Sequence, residues 1–431
     1  MTTLKAVRGT RDLLPPETAL WNRIEATARA VFARYNFGEI RTPIFEDTGL
    51  FARSVGEETD IVSKEMYTWE DRARAQSEKT QSLTLRPENT AGVVRSYIEH
   101  QLGETGQLQK LFYIGPQFRR ERPQKGRYRQ FSQIGAEVIG PPSAGSESPL
   151  RDAEVLEMLA TLLNELGITG WKLELNSVGS AADRARYNEE LRTALDAVVS
   201  NMCVDCQRRA ATNPIRVLDC KVPADQPIID TLPVIADSLN EASRAHFAQV
   251  LAALDAAAVH YTRNHRLVRG LDYYTRTTFE FTHGGLGAQN ALLGGGRYDG
   301  LSEMLGGPRA PGIGFAMGED RLVLTLLAQE AAAPQVLADA YIAPLGESLN
   351  AAALSLAREL RSQGLRIELG DGSFRLKKSF EVADKTARRM IILGEDELQS
   401  GILTVKTFAT GIQTKVPRTE LAVFLTKPAS E

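Results

Sequence analysis

The chain is poor in the side chains that most often act as nucleophiles or proton carriers, with five histidines and three cysteines in 431 residues. No Ser, Cys or His stands in a setting that would activate it, which points away from nucleophilic catalysis. GxxxxGK followed by Ser or Thr is absent, and no GxGxxG follows a first strand, so neither common phosphate-binding loop is available. No apolar run approaches the roughly 20 residues of a membrane span, and the opening MTTLKAVRGTRDLLPP lacks the apolar block of a secretory signal, so the expectation is a cytoplasmic protein with no membrane partner. There is no internal repeat and no long low-complexity tract. Cys203, Cys206 and Cys220 are too few, and odd in number, for a disulfide framework, and they fit a reducing compartment. CVDC has metal-ligand spacing, but a tetrahedral zinc site needs a fourth ligand and no His lies near Cys220. The sequence therefore reads these residues as buried or surface thiols and assigns no metal to them.

What is present is the composition of a soluble globular protein, 43% hydrophobic and 24% charged, in a length that predicts two or three domains. Residues 1 to about 140 alternate helical stretches with short β-rich runs, the mix of an α/β or α+β core, and PPSAGSESPL reads as a loop. From about 170 to 260 the texture turns Ala-rich and helical, as in DRARYNEELRTALDAVV. Glycine and aromatics return between 264 and 320, so one fold is interrupted by another. AQEAAAPQV reads as a linker around 328 to 336. Beyond it, strands alternate with helices, which predicts a small separate α/β domain with a largely parallel sheet; Gly364 is the expected stop of its first helix.

Net charge is only −3, and nucleic-acid binding needs a local patch of cations, not a basic whole. Such a patch is FRRERPQKGRYRQFSQIGAE, with six Arg or Lys among the thirteen residues 118–130. Its Arg-rich middle reads as a loop joining two antiparallel strands. Period 2 in the returning strand puts Phe131, Gln133, Gly135 and Glu137 on one face, with a glycine gap for a small polar ligand, and Ser132, Ile134, Ala136 and Val138 on the core face. As a bare hairpin this would be solvated surface; three further segments give it company. In SLTLRPENTAGVVRSYIEH a strand passes through Pro87 into a helix with Glu88 at the junction, placed either to cap the helix or to hold an ammonium group. LVRGLDYYTRTTFEF reads as a strand with Arg269 before a turn at Gly270 and with Tyr273 and Tyr274 facing opposite ways, a pattern that is more often packing than chemistry. LLGGGRYDGLSEMLGG and PGIGFAMGEDRLVLTLL strip side chains from a strand, which would let a flat base lie close, and then enter a helix whose first turn carries Arg321. Arginines for an anion, carboxylates for cationic groups and a lack of nucleophiles suit phosphoryl or nucleotidyl transfer with Mg²⁺.

These segments resemble a known family. FRRERPQKGRYRQFSQIGAE is similar to motif 2 of the class II aminoacyl-tRNA synthetases, PGIGFAMGEDRLVLTLL to motif 3, and FGEIRTPIFED with Pro43 to the dimer-forming motif 1. RGLDYYTRTTFE and GGGRYDGL resemble the two signatures of the histidyl-tRNA synthetase family, and the resemblance extends from AVRGTRDLLP to the C-terminal domain. It implies an α+β fold: an antiparallel six-stranded sheet in two parts (1–169 and 261–328), a helical insertion (170–260) and a C-terminal α/β anticodon-binding domain (335–431). It implies a homodimer that uses ATP and Mg²⁺ to make histidyl-adenylate from L-histidine and then charges tRNA(His).

Carried over by position, the resemblance implies that Arg119, Arg127 and Arg321 bind ATP phosphates, with Arg119 and Arg269 catalytic. Arg269 would contact the α-phosphate and the substrate carboxylate. Glu88, Asn89, Thr90 and Gln133 would lie about the histidine α-amino group, and Glu137 with Tyr273, Tyr274 and Tyr298 about the imidazole. One nitrogen of neutral imidazole donates and the other accepts, so a carboxylate and a phenol would satisfy both. Arg122, Gln124 and Lys125, with Arg120 and Arg129, would meet the tRNA acceptor end. Asn89 stands where the family often has Gly, and Asn is expected to tolerate a left-handed turn there. The rival reading, a histidine-binding regulatory relative without charging activity, is disfavoured because such chains lack the anticodon domain and erode these arginines. Another class II synthetase, for proline, threonine or glycine, is disfavoured by RGLDYYTRTTFE.

Overall fold

A computed structural model of the chain describes residues 3–56, 59, 61–71, 80–123, 126–269, 271, 273–286, 290–329 and 337–428. It divides into two compact units, Met1–Ala333 and Pro334–Glu431. Most of the expected linker, 330–336, lies outside the described residues.

The strands of the first unit are β1 (Gly38–Glu39), β2 (Phe45–Asp47), β3 (Tyr67–Asp71), β4 (Gln81–Leu85), β5 (Gln109–Phe118), β6 (Gln130–Ile139), β7 (Trp171–Ser177), β8 (Thr262–Arg263), β9 (Thr275–His283), β10 (Ala291–Arg297) and β11 (Gly312–Gly318). Eight of them form the main sheet in the order β1-β5-β6-β11-β10-β9-β7-β8, and β2-β4-β3 form a small side sheet. Every neighbouring pair from β5 to β7 is antiparallel. The short edge strands β1 and β8 add in parallel.

The sheet is closed on one face by amphipathic helices. Helix Glu17–Arg34 buries Leu20, Trp21, Ile24, Ala28, Val31 and Phe32, one stripe at helical spacing. Helix Pro149–Glu165 starts where the Ser148 side chain accepts the Leu150 N–H and Pro149 occupies the first helical position, and it buries Val155, Leu156, Leu159 and Leu163. Both stripes meet Ile134, Ala136 and Val138 of β6 and Phe315 of β11 in the main core.

The helical insertion is narrower in the structure than the 170–260 expected. Trp171–Ser177 is a strand of the main sheet, and helix Glu241–Ala256 contributes Phe247, Val250 and Leu254 to the main core. What packs separately is a cluster running from Val178 through Tyr187, Leu191, Cys206 and Ile235 to Val268. Alanine-rich helical periodicity is the same whether a helix covers a sheet or another helix, so texture alone could not separate the two.

In the second unit, β12 (Ala340–Pro344), β13 (Ile367–Leu369) and β14 (Arg389–Leu393) are parallel, and β15 (Ile402–Thr407) and β16 (Gln413–Pro417) extend the sheet antiparallel. Gly364, at φ +84°, ends helix Asn350–Ser362 in the left-handed region as expected. This unit has its own core of Ile342, Leu356, Ile391, Val405 and Leu421.

Candidate active site

The hairpin of β5 and β6 supplies the floor. Alternation holds in β6: Ile134, Ala136 and Val138 point into the core, while Glu137 is fully buried on the opposite face. The glycine gap expected at Gly135 is filled. Gly135 lies directly across from Tyr113 on β5, and a Cβ there would run into the Tyr113 phenol and the Phe315 carbonyl. Tyr113 is buried, and its hydroxyl has no hydrogen-bond partner among the described residues. Sequence reasoning missed this residue, because only the cross-strand register sets an aromatic of one strand against a missing side chain of the next.

Glu137 is the centre of a polar knot. Its carboxyl accepts the Thr90 hydroxyl at 2.8 Å and the Tyr298 hydroxyl at 2.7 Å. Gly314, across from it on β11, is required because any Cβ would overlap Oε2. Burial raises the Glu137 carboxyl to about 8, against the downward pull of Tyr298 and Thr90 and with repulsion from Glu88 adding to it.

Glu88 takes the capping role: its carboxylate accepts the N–H groups of Thr90 and Ala91 at 2.8 and 2.9 Å, at the start of helix Thr90–Glu99. Burial raises its pKa as well. Asn89 adopts φ −120°, so the left-handed turn anticipated for it does not occur. Its side-chain oxygen instead accepts from Thr42 at 2.5 Å and from Arg86 at 3.3 Å, tying the helix start to the segment before β2.

Tyr273 and Tyr274 do not face opposite ways on a strand. The strand begins at Thr275, and the two rings pack at 4.8 Å, with Tyr298 at 6.0 Å from Tyr273. All three are buried beside Val94 and Tyr97. Near the start of β9, Arg276 takes φ +48°, a break that period-2 reasoning has no means to detect.

The arginines converge above this floor on a cavity of about 1260 Å³ lined by Arg119, Arg127, Gln133, Arg269, Gly294 and Arg321. The cavity lining does not include Glu88, Thr90, Glu137, Tyr273 or Tyr298, which form a closed set. Arg119 donates through Nε to the Pro87 carbonyl at 2.9 Å and lies over the Phe131 ring at 5.3 Å. Arg127 pairs with Glu121 at 3.0 Å. Arg269 pairs with Glu280 on β9 at 2.9 Å, and a Cβ on Gly294 would come within 2.5 Å of its guanidinium. A Cβ on Gly296 would meet the Tyr274 ring at 2.8 Å. Two glycines of the triplet thus make room for protein side chains, and Gly294 also lines the cavity. Glu121 and Glu280 were not singled out in the sequence; Glu280 is visible in FEF only once β9 and the Arg269 segment are known to be adjacent. Arg321, in the first turn of helix Glu319–Ala328, donates to the Ala291 carbonyl at 2.5 Å. Burial lowers its pKa, repulsion from Arg127 and Arg119 adds to the effect, and Glu280 and Glu121 oppose it.

On the loop, Arg120 is exposed over the Tyr67 ring at 5.9 Å, and Arg122 is exposed. Arg129 is turned inward, with its backbone N–H on the Gly9 carbonyl at 2.7 Å. Gln124 and Lys125 lie outside the described residues.

The histidyl-tRNA synthetase family model matches residues 9–322. A curated histidine–tRNA ligase from Koribacter versatilis is 71% identical over 98% of this chain and 96% of its own length. The chain belongs to the histidyl-tRNA synthetase family. Another relative, the histidine–tRNA ligase of Solibacter usitatus, is 56% identical over 98% of this chain and 99% of its own. The apo histidyl-tRNA synthetase of S. aureus superposes with a TM-score of 0.80 at 38% identity, covering 99% of this chain and 100% of that one. An anticodon-binding domain model matches residues 339–427, within the second unit. The expected synthetase fold, α+β with a C-terminal anticodon-binding domain, therefore holds, with the six antiparallel strands widened by parallel edges. No helix among the described residues is long and apolar enough to cross a membrane.

Proposed function

We propose that the chain is a histidine–tRNA ligase, which activates L-histidine with ATP to histidyl-adenylate and transfers the histidyl group to the 3′ end of tRNA(His). The observation that carries this is the pairing of an arginine-lined cavity with the buried Glu137 carboxyl, held by Thr90 and Tyr298, beneath it. Arg119, Arg127 and Arg321 are the ligands of the ATP phosphates. Burial lowers the Arg321 pKa and the nearby Arg127 and Arg119 lower it further, so an incoming polyphosphate relieves repulsion as well as gaining charge-assisted bonds. Arg269, buttressed by Glu280, neutralises charge that develops on the α-phosphate as the substrate carboxylate attacks and pyrophosphate leaves.

Glu137 addresses one edge of the imidazole, with Thr90 and Tyr298 holding its oxygens, and Tyr273 and Tyr274 wall the pocket. A pocket of this kind rejects analogues that leave buried polar groups unpaired, by factors of about 10⁴ or more, so no separate editing step is required. Glu88, Thr90 and Gln133 receive the α-amino group; the Gln133 Oε1 is buried with no partner among the described residues, which suits an acceptor waiting for N–H. Mg²⁺ usually enters through one or two carboxylates and the phosphates themselves, a need that Glu121 and Glu280 on the cavity rim can meet. When bound it would neutralise phosphate charge. Arg120 and Arg122, with Gln124 and Lys125, form the basic loop that receives the acceptor end, and tRNA binding should weaken steeply with salt.

The protein acts in the cytoplasm as a homodimer through the motif 1 segment, where Ile44 and Phe45 are left 45% and 52% exposed. Exchange of pyrophosphate into ATP across a panel of amino acids tests the assignment: histidine alone should drive it, and exchange with proline or threonine instead would sink it.

A further inference from the structure

The insertion holds a second constellation that the reaction does not use. Cys203 is the N-cap of helix Val204–Thr212 and Cys206 lies in its first turn, so CxxC brings two thiols to one end of one helix. Cys220 follows the turn Pro214–Asp219, and Asp225 ends the turn Pro223–Asp225. These pieces fold onto one point: three Sγ atoms and a carboxylate oxygen all lie within 4.8 Å of one another. Cys206, Cys220 and Asp225 are 0%, 5% and 1% exposed. In place of a histidine, the fold brings an aspartate as the fourth candidate ligand, five residues after Cys220 and on the next turn.

The spacings suit one tetrahedral cation. Bonds of about 2.3 Å to sulfur and about 2.1 Å to oxygen put tetrahedral S···S edges at roughly 3.8 Å and S···O edges at roughly 3.6 Å. Cys203 Sγ and Cys220 Sγ are 3.9 Å apart, and Cys220 Sγ is 3.2 Å from Asp225 Oδ2. Two backbone N–H groups reach candidate ligand atoms: that of Val222 points at Cys220 Sγ at 3.4 Å, and that of Cys203 at the Asp225 carboxylate at 3.1 and 3.2 Å. Among the described residues no ion pair reaches Asp225, since neighbouring Lys221 turns outward to Asp219. The Asp225 carboxylate is thus held among three thiols by the Cys203 N–H and the Cys220 thiol, with an oxygen at the point where the sulfurs meet.

We propose that Cys203, Cys206, Cys220 and Asp225 bind a structural zinc ion. Three sulfurs favour zinc over Mg²⁺ or Ca²⁺, and four protein ligands close the site, so its role is to staple the insertion. The staple has a consequence for the cavity. Directly after Asp225, Gln226 accepts Arg266 at 2.6 Å and Asp230 accepts it at 2.9 Å, and Arg266 lies three residues before Arg269. Cys203 and Cys220 themselves border the cavity that Arg269 lines. Zinc thus holds the wall from which Arg269 projects.

The test is elemental analysis of the full-length protein purified under reducing conditions without chelator. About one zinc per chain is expected, and cobalt substitution should show thiolate-to-metal charge-transfer absorption with tetrahedral ligand-field bands. Cys206→Ser and Asp225→Asn should each weaken zinc affinity at least tenfold, read by competition with a chromogenic chelator; Asp225→Asn keeps the volume and guards against a Cys206→Ser protein that does not fold. Less than about a tenth of an equivalent of zinc after incubation with excess metal would overturn the proposal. So would unchanged affinity in Asp225→Asn and in soluble Cys206→Ser, or a Cys203–Cys220 disulfide in protein prepared without air.

Discussion

Substituting Glu137→Gln separates what this carboxyl does for the ligand from what it costs the fold. In the unfolded chain it titrates near 4.5, and in the folded protein near 8, chiefly because it is buried. Between those values the folded state keeps the proton that the unfolded state has lost, so raising the pH destabilises the wild type. That stability is fully present below pH 4.5 and is lost as the pH rises toward and through 8. Gln at the same position does not titrate. Linkage then predicts that the stability of the variant minus that of the wild type grows by about 3 kcal/mol from pH 5 to pH 8. The mismatch of a Gln NH₂ against the Thr90 or Tyr298 hydroxyl costs about 1–3 kcal/mol but is the same at both pH values and cancels in the difference. Urea unfolding followed by tryptophan fluorescence reads the right unit, because Trp21, Trp69 and Trp171 are the only tryptophans of the chain and all precede residue 334. In the exchange assay the variant should raise the KM for histidine about 100-fold or more while the KM for ATP stays within about twofold. Parallel pH dependence of the two proteins, or a KM effect confined to ATP, would refute the reasoning.

Arg269→Ala should lower the rate of histidyl-adenylate formation by about 10²-fold or more with tRNA affinity unchanged, measured by pyrophosphate exchange and filter binding; unaltered exchange would remove Arg269 from the chemistry. Asp152→Asn should destabilise the first unit by about 1–3 kcal/mol, because it removes the charge of the carboxylate bonded at 2.5 Å to the fully buried Arg297 and leaves Asp299, at 3.1 Å, as its remaining carboxylate partner; a urea midpoint within error of wild type would contradict that. A chain ending at residue 333 should stay folded and exchange pyrophosphate but lose charging, since each unit has its own core; full charging by the truncated chain would count against the anticodon role.

Local order determined a good deal by itself. The alternation Phe131 to Val138 set Glu137 against the core face, the glycine after SLNAAALSLARELRSQ stopped its helix, and the motif 3 segment entered a helix at Arg321, because each depends on neighbours within one turn or one strand. The family signatures were legible for the same reason. What the tertiary structure decided were the pairings between separate segments: Tyr113 over Gly135, Glu280 on Arg269 across Gly294, Tyr273 edge-on to Tyr298, and β7 claimed by the sheet from an apparently helical insertion. The same holds for Asp225, which only the folded insertion brings together with Cys203, Cys206 and Cys220. Side chains that meet across a sheet come from separate segments of the sequence, and periodicity, which reports only which face a residue takes, carries no information about what that face meets.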